Sequence, residues 1–483
     1  MNARLISKVM AVLTGIVSAA MIWPLLWALH DGTADAQAFV ISMVLGLTLS
    51  GLLLFAGRNA DFKKVRIQDA FVVVSLSWVV ASVIGALPYY LHGMVPTYTD
   101  AFYEAMSGFT TTGGSVLVDI EVHPRGLLFW RALTHWIGGM GIIVLSLAIL
   151  PFIGVGGIHL YKAEVPGFAV EKLTPRLHRT ALRLWGVYIL LTAAQVVLLH
   201  LGGMSLFESL AHSFSTIATG GLSPLNRSIA HYNSAYFDWV ITFFMFISGI
   251  NFVLHYRFLL GNFGIHGRDE ECRVYSGIVL FSIVTTAVVL LRSGVYSTVS
   301  DALRYGAFQV VSVITSTGFF TADYEQWPAY THFLFILLMF LGGSTGSTAG
   351  GLKALRVLAL ARLVRAETVS SLHPRGVFPV RVRGRIATSE ARASITTFFV
   401  LYMAIFALGA AVLAALGLDF ITAVSGSASA LGNTGPGFGA IGPTDNFSAI
   451  PMAAKWVLCL LMLMGRLELY TVLLIARPSV WKG

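Results

Sequence analysis

The chain has 483 residues, of which 56% are apolar and only 11% are Asp, Glu, Lys or Arg, against roughly a quarter charged in an average soluble protein. That composition excludes a soluble enzyme. The net charge of +9 does not indicate nucleic acid, because the basic residues gather in the loops between apolar stretches, where they set membrane orientation.

A hydrocarbon core about 30 Å thick takes roughly 20 apolar residues of helix to cross. Nine charge-free stretches are long enough: 9–29, 36–57, 70–99, 132–161, 184–207, 239–256, 274–291, 326–352 and 393–418. A tenth, about 450–476, is interrupted by Lys455, Arg466 and Glu468. The expected fold class is therefore an all-α polytopic membrane protein of about ten transmembrane helices. Arg4, Lys8 and the run Ala34-Asp35-Ala36 imitate a cleavable signal. The apolar run between them exceeds the 7–15 residues of a signal-peptide core, so it is read as a span. Cys272 and Cys459 lie far apart and are read as free thiols.

With both termini cytoplasmic, most of the 32 Lys and Arg fall inside. They include Lys63, Lys64 and Arg66, then Lys172, Arg176, Arg179 and Arg183, then Arg375, Arg381, Arg383 and Arg385. Arg125, Arg131, Arg227, Arg292 and Arg304 map outside, together with Asp119, Glu121, Asp323, Glu325 and Asp445. An acidic outer mouth concentrates cations.

After two leading helices in 1–60, one plan recurs in 61–160, 161–268, 269–385 and 386–483: a span, a short apolar segment, a polar turn, a second span. The short segments, about 100–112, 206–219, 301–317 and 419–434, open on the cap residues Asp100, Ser205, Ser300 and Asp419. They close on Thr112-Gly113, Thr219-Gly220, Thr317-Gly318 and Thr434-Gly435, and Ser107, Ser312 and Ser429 stand six residues before the glycine in three of them. Thr14-Gly15 and Thr345-Gly346 belong to no such segment, so the signal is recurrence at one place rather than the dipeptide. Irregular backbone at membrane depth survives only when buried in protein or lining a water-filled cavity. The segments are accordingly expected to be re-entrant half-helices around a pore; the alternative is four glycine-terminated helix ends.

A dehydrated monovalent cation needs several oxygens at close range, and backbone carbonyls supply them without a fixed negative charge. Glycine permits the dihedrals that turn carbonyls inward, and half-helix C-termini pointing at the centre favour a cation there. The filter candidates are Thr111, Thr112 and Gly113; Ala218, Thr219 and Gly220; Ser316, Thr317 and Gly318; and Asn433, Thr434 and Gly435.

Phe109-Thr110-Thr111-Thr112-Gly113-Gly114, Ser215-Thr216-Ile217-Ala218-Thr219-Gly220-Gly221, Ile314-Thr315-Ser316-Thr317-Gly318-Phe319 and Gly432-Asn433-Thr434-Gly435-Pro436-Gly437 together resemble the Trk/Ktr/HKT potassium-transport superfamily. With the two extra leading spans, the chain is most similar to the bacterial TrkH/TrkG branch over nearly its whole length. The resemblance implies potassium uptake through a central pore, potassium ions at the filter residues, a homodimer in the bacterial inner membrane and a cytoplasmic TrkA-type nucleotide-binding ring. Ala218, where the other units carry a hydroxyl or amide, departs from the pattern.

The stretch 341–353 holds five glycines, Gly342, Gly343, Gly346, Gly350 and Gly351. Each costs a helix interior about 1 kcal/mol, so unwinding is expected; a glycine face for helix packing is the alternative. The phosphate-loop pattern fails, because Lys353 comes one residue late. The resemblance supports a mobile loop beneath the filter, with Gly343, Gly346, Gly350, Gly351 and Lys353 as gate residues. Arg466 lies mid-span, where a charge costs at least about 2.5 kcal/mol. It is read as a barrier facing the pore, matching the family's arginine in the final span, with a structural ion pair as the alternative. Lys455 is read as snorkelling.

Thirteen histidines form no HExxH, and His135 and His212 are read as packing or hydrogen-bonding residues. The basic segment 353–392 suits anionic lipid or a cytoplasmic partner. Neither an enzyme nor an organic cofactor is expected. The rival function is a secondary transporter coupling potassium to protons or sodium.

Overall fold

The computed structural model describes residues 2–60, 67–141, 177–373, 375–376, 378–467, 469 and 472–473. Lys63, Lys64, Arg66, Lys172, Arg176, Glu468 and residues 142–161 of the stretch 132–161 lie outside them.

Two helices, α1 (Ala3–Ala20) and α2 (Ile22–Asp31), form the first span and α3 (Asp35–Ala56) the second. Helix α3 turns Ala38, Ser42, Gly46 and Ser50 inward, one per turn, while Leu45 and Leu52 face out. This is the small-residue stripe by which membrane helices approach closely. A Cβ on Gly46 would stand 2.0 Å from Ser18 Oγ, and Ser50 Oγ donates to the Ala11 carbonyl of α1 at 2.7 Å.

Four units follow. The first has α4 (Ile67–His92), half-helix α5 (Tyr98–Phe109) and α6 (Arg125–Gly139). The second has α7 (Leu177–Leu201), half-helix α8 (Leu206–Ile217) and a broken span of α9 (Ala235–Ser248) and α10 (Phe252–Leu259), followed by the one-turn α11 (Ile265–Arg268). The third has α12 (Glu270–Arg292), half-helix α13 (Val299–Ile314), α14 (Ala329–Leu341) and, after a loop, α15 (Ala354–Leu372). A hairpin of β1 (Arg381–Val382) and β2 (Arg385–Ile386) leads to the fourth, with α16 (Ser389–Ala415), half-helix α17 (Phe420–Gly432) and α18 (Met452–Arg466).

Among the described residues, six helices are long and apolar enough to cross a membrane, seven if α9 and α10 count as one. Helices α6, α14 and α18 occupy the other expected places as shorter pieces. The half-helices have 12, 12, 16 and 13 residues, too short at 1.5 Å per residue to cross about 30 Å.

Two expected caps are displaced. Thr97 and Thr298, not Asp100 and Ser300, cap α5 and α13. The acids sit three residues in, where Thr97 Oγ1 accepts from the Asp100 amide and donates to its carboxylate, and Thr298 does the same for Asp301. Ser205 and Asp419 cap α8 and α17 as expected, Ser205 in a reciprocal box with Glu208.

The sixth span, expected as one charge-free stretch over 239–256, bends by 101° between Ser248 and Phe252. The loop after α14 takes up the backbone groups freed there: Ser344 N donates to Gly249 O at 2.8 Å and Phe252 N to Gly346 O at 3.1 Å. Lys455 does not snorkel. It is 4% exposed, and its Nζ donates to Asp100 Oδ1 at 2.6 Å and Ser448 O at 3.0 Å. Arg131 and Arg304, expected on the outer side, lie on α6 and α13 and pair with Glu104 and Asp238, each at 2.6 Å.

Candidate functional site

Each half-helix ends in the same tight turn. The amides of Thr112, Gly220, Thr317 and Thr434 donate to the carbonyls of Ser107, Ser215, Ser312 and Ser429 at 2.8–2.9 Å. The residue before each amide is left-handed without being glycine: Thr111 (φ 53°), Thr219 (54°), Ser316 (55°) and Asn433 (54°). The residue after each is a glycine at positive φ: Gly113 (86°), Gly221 (79°), Gly318 (81°) and Gly435 (95°).

This register corrects the second unit by one residue. Gly221, not Gly220, is the counterpart of Gly113, Gly318 and Gly435; Gly220 occupies the place of Thr112, and Ala218 that of Thr110. The serine that the sequence pattern lacks in this unit is then supplied by Ser215. A side chain at position 220 has no room, because its Cβ would fall 2.3 Å from Nδ1 of His135. That imidazole fills the place a threonine takes elsewhere.

The four glycines close a ring. A Cβ on Gly113 would stand 2.0 Å from the Gly220 carbonyl oxygen, one on Gly221 1.9 Å from that of Thr317, one on Gly318 2.3 Å from that of Thr434, and one on Gly435 2.5 Å from that of Thr112. Each unit thus lays one backbone oxygen against the glycine of its neighbour, and the fourth returns to the first. Both the left-handed dihedral and this close approach demand glycine.

The side chains of these turns brace them on protein atoms. Thr110 and Thr112 share a hydroxyl contact of 2.8 Å, as do Thr315 and Thr317. Ser312 Oγ donates to Phe319 O at 2.6 Å and Ser429 Oγ to Gly435 O at 2.7 Å. Asn433 Nδ2 donates to Thr112 Oγ1 at 3.0 Å and Met462 O at 2.9 Å, tying the fourth turn to the first. In the fourth unit Gly432 stands where Thr110 stands in the first. Thr434 Oγ1 consequently has no partner among the described residues.

On one side of the ring a cavity of about 150 Å³ opens, lined by Gly113, Gly221, Gly318, Pro436, Asn226 and Asp445 among others. Its rim is a second closed circuit. Asn226 receives the Ile120 amide at 2.6 Å and donates to Asp119 at 2.8 Å, and its own amide donates to Glu121 at 3.0 Å. Ala230 N donates to Phe320 O at 3.2 Å, Gly439 N to Glu325 Oε1 at 2.5 Å, and Phe447 N to Ser115 O at 2.8 Å. Asp119, Glu121 and Glu325, expected to give the mouth its negative field, therefore also clasp neighbouring units. Partial burial, with Asp323 and Asp445 nearby, raises the Glu325 carboxyl above its ordinary range.

Behind the ring lies a pair that the sequence pattern did not single out as a site. Glu104 of α5 and Arg131 of α6 are at most 1% exposed. Glu104 Oε2 accepts the Val116 amide at 3.0 Å; Arg131 donates to Ser115 Oγ at 3.0 Å and Ser223 O at 3.2 Å. The pair pins the chain leaving the first two turns. The available signal was an acid, Glu104, four residues into the first short segment and a base, Arg131, at the edge of the apolar stretch 132–161.

On the other side of the ring the glycine-rich stretch is non-helical from Gly342 to Lys353, as expected. Gly350 N donates to Ser316 Oγ at 2.7 Å, and Thr348 Oγ1 reaches Ile217 O at 3.1 Å and Ser248 O at 3.3 Å. A Cβ on Gly350 would stand 2.1 Å from Gly432 O. The loop thus touches the tips of the second, third and fourth half-helices. Gly343 packs on Gly249 O, Gly346 on the Asn251 side chain and Gly351 on Gly342. Lys353 folds back, its Nζ donating to Ala349 O.

Arg466 completes this layer. Nη1 donates to Thr348 O of the loop at 2.7 Å, and Nη2 to Gly138 O at 2.8 Å and Gly139 O at 3.1 Å. Gly138 backs the first half-helix, since its Cβ would stand 2.0 Å from Phe109 O. One guanidinium therefore bridges the loop to the side of the ring that the loop does not reach. Both free cysteines are buried, and no group of three or more metal-ligating side chains occurs among the described residues.

A family model described as TrkH, cation transport protein, matches residues 35–268 and 274–482. The Trk system potassium uptake protein TrkH of Salmonella typhimurium LT2 is 36% identical over 485 residues, covering 100% of both chains. The Trk system potassium uptake protein TrkG of Escherichia coli K12 is 34% identical over 486 residues, covering 100% of this chain and 99% of the other. The crystal structure of the potassium transporter TrkH from Vibrio parahaemolyticus superposes with a TM-score of 0.90 at 33% identity, covering 100% of both chains.

Proposed function

This multi-pass membrane chain belongs to the TrkH family of cation transport proteins, and from that premise we propose that it takes up potassium across the bacterial inner membrane through a gated, selective pore. The observation that carries the reading is the closed ring formed by Gly113, Gly221, Gly318 and Gly435 with the carbonyls of Gly220, Thr317, Thr434 and Thr112. One backbone oxygen from each of four units replaces part of an ion's hydration shell without holding it by a fixed charge. The partially negative ends of the half-helices add to the attraction. The filter comprises Thr111, Thr112 and Gly113; Thr219, Gly220 and Gly221; Ser316, Thr317 and Gly318; and Asn433, Thr434 and Gly435. Ala218 supports its turn from behind.

The loop carrying Gly343, Gly346, Gly350 and Gly351, with Lys353 at its end, is the gate, and Arg466 is its bolt. A cation leaving the ring inward meets loop backbone and a fixed positive charge. Both termini are cytoplasmic in this reading, as the loop charges favour. A homodimer of such chains regulated by a cytoplasmic TrkA-type ring completes it, supported by the family resemblance and by the basic segment that follows the gate.

A transporter coupling potassium to protons or sodium by alternating access is the rival, and it needs closure on both sides in turn. The cavity above the ring, against the loop below it, favours one gate in series with a filter. Purified protein in liposomes distinguishes them: passive flux following the potassium gradient alone supports the pore, and flux driven by a proton or sodium gradient contradicts it.

A further inference from the structure

The first turn of α12 carries two adjacent acids, and they hold different things. Glu271, 1% exposed, has its two oxygens divided between the gate loop and the hairpin. Oε1 accepts the amides of Thr345 at 2.6 Å and Leu355 at 3.2 Å, one within the loop and one just beyond its end. Oε2 accepts Nη2 of Arg383 at 2.6 Å. Arg383 is the left-handed turn residue of the hairpin (φ 50°) and is 34% exposed. Glu270 meanwhile pairs with Arg362 and accepts the Arg383 amide at 2.8 Å, while Arg362 Nη1 donates to Arg381 O at 2.6 Å. Beneath the hairpin, Val380 and Val382 pack on Leu355 and Ala359, at the start of the helix that the loop feeds.

We propose that Glu271 is a positioning residue that couples the hairpin to the gate: its carboxylate holds the loop closed only while Arg383 holds the carboxylate. A buried carboxylate is stable when its charge is paired and its lone pairs are filled. Withdrawal of the Arg383 guanidinium removes the cation that pairs with Glu271. The carboxylate then gains by turning toward water, and the Thr345 and Leu355 amides lose their acceptor together. A displacement at the half-exposed hairpin is thereby passed to the loop through one side chain. The coupling rests on the reading of this loop as the gate.

The test is potassium flux from liposomes holding the full-length protein with Arg383→Asn, whose side chain suits a left-handed turn but does not carry the charge. The Glu270 and Arg362 contacts keep the hairpin docked in this variant. Flux is expected to rise by about tenfold, the worth of one charge-assisted hydrogen bond. Arg383→Lys is expected to restore low flux, and Glu271→Ala with Arg383→Asn to leak no more than Glu271→Ala alone. A second readout needs no conduction: the thiol of Ser347→Cys, placed on the loop, is expected to react faster when combined with Arg383→Asn. Protein lacking residues 345–349 serves as the control. If it leaks while Arg383→Asn neither leaks nor changes thiol reactivity, the coupling is overturned and the gate stands. If it does not leak, the gate reading fails and the coupling with it.

Discussion

The Gly350 amide donates to the Ser316 hydroxyl at 2.7 Å, so the glycine-rich loop is bonded to one of the four left-handed residues at the half-helix ends. If this loop is the gate, as proposed, opening breaks that bond. Ser316→Ala is therefore expected to raise resting potassium flux by roughly two- to tenfold, the worth of one neutral hydrogen bond, measured as efflux from potassium-loaded liposomes. Unchanged efflux removes this contact from the gating equilibrium.

The corrected register of the second unit makes a sharp prediction. At Gly113 and Gly221 an added Cβ would lie 2.0 and 1.9 Å from a neighbouring unit's carbonyl oxygen. Gly113→Ser and Gly221→Ser should then each widen the ring and lower potassium-over-sodium selectivity by about tenfold or more, since 1.4 kcal/mol of lost discrimination suffices. Ion permeability ratios check this, and a Gly221→Ser protein with native ratios would return the filter position to Gly220.

Arg466 donates to three carbonyls, one on the loop and two on α6. Hydrogen bonds to a charged group are worth about 1.5–3 kcal/mol each. On the proposed gate, Arg466→Ala should raise flux at least about tenfold, because it removes both the hydrogen bonds that hold the loop and the positive charge. Equal or lower flux in a well-folded variant argues for a purely structural arginine.

The Glu104–Arg131 pair calls for a stability measurement. Removing one partner of a buried ion pair leaves an uncompensated charge, at a cost of about 3–5 kcal/mol. Glu104→Ala should lower the melting temperature in detergent sharply. Glu104→Gln, which keeps an acceptor for the Val116 amide, should lower it less. Equal melting of both variants and the parent protein means that the pair contributes nothing to the mouth.

The spans, the half-helices and the unwound glycine stretch were legible in the sequence because each rests on a local physical signal: apolar length, a segment too short to cross, glycines at membrane depth. The register of the second unit was not. Thr219-Gly220 imitates the dipeptide of the other units, but Gly220 stands in the place of Thr112, and it is glycine because of the ring of His135, which arrives from α6 of the preceding unit. Lys455 was misread for the same kind of reason. Its partner Asp100 is 355 residues away, and only the closure of four units into a circle brings them together. The bend at Gly249 was likewise invisible locally, since its freed backbone groups are satisfied by a loop from the next unit.

The central claim is that potassium is chosen at the ring closed by Gly113, Gly221, Gly318 and Gly435. The most direct measurement is the reversal potential across a planar bilayer holding the protein with its 345–349 loop segment removed, with potassium on one side and sodium on the other. The account predicts a reversal potential close to the potassium equilibrium potential, shifted toward zero by Gly221→Ser. A reversal potential near zero in the parent protein, or one that Gly221→Ser leaves unmoved, would contradict it.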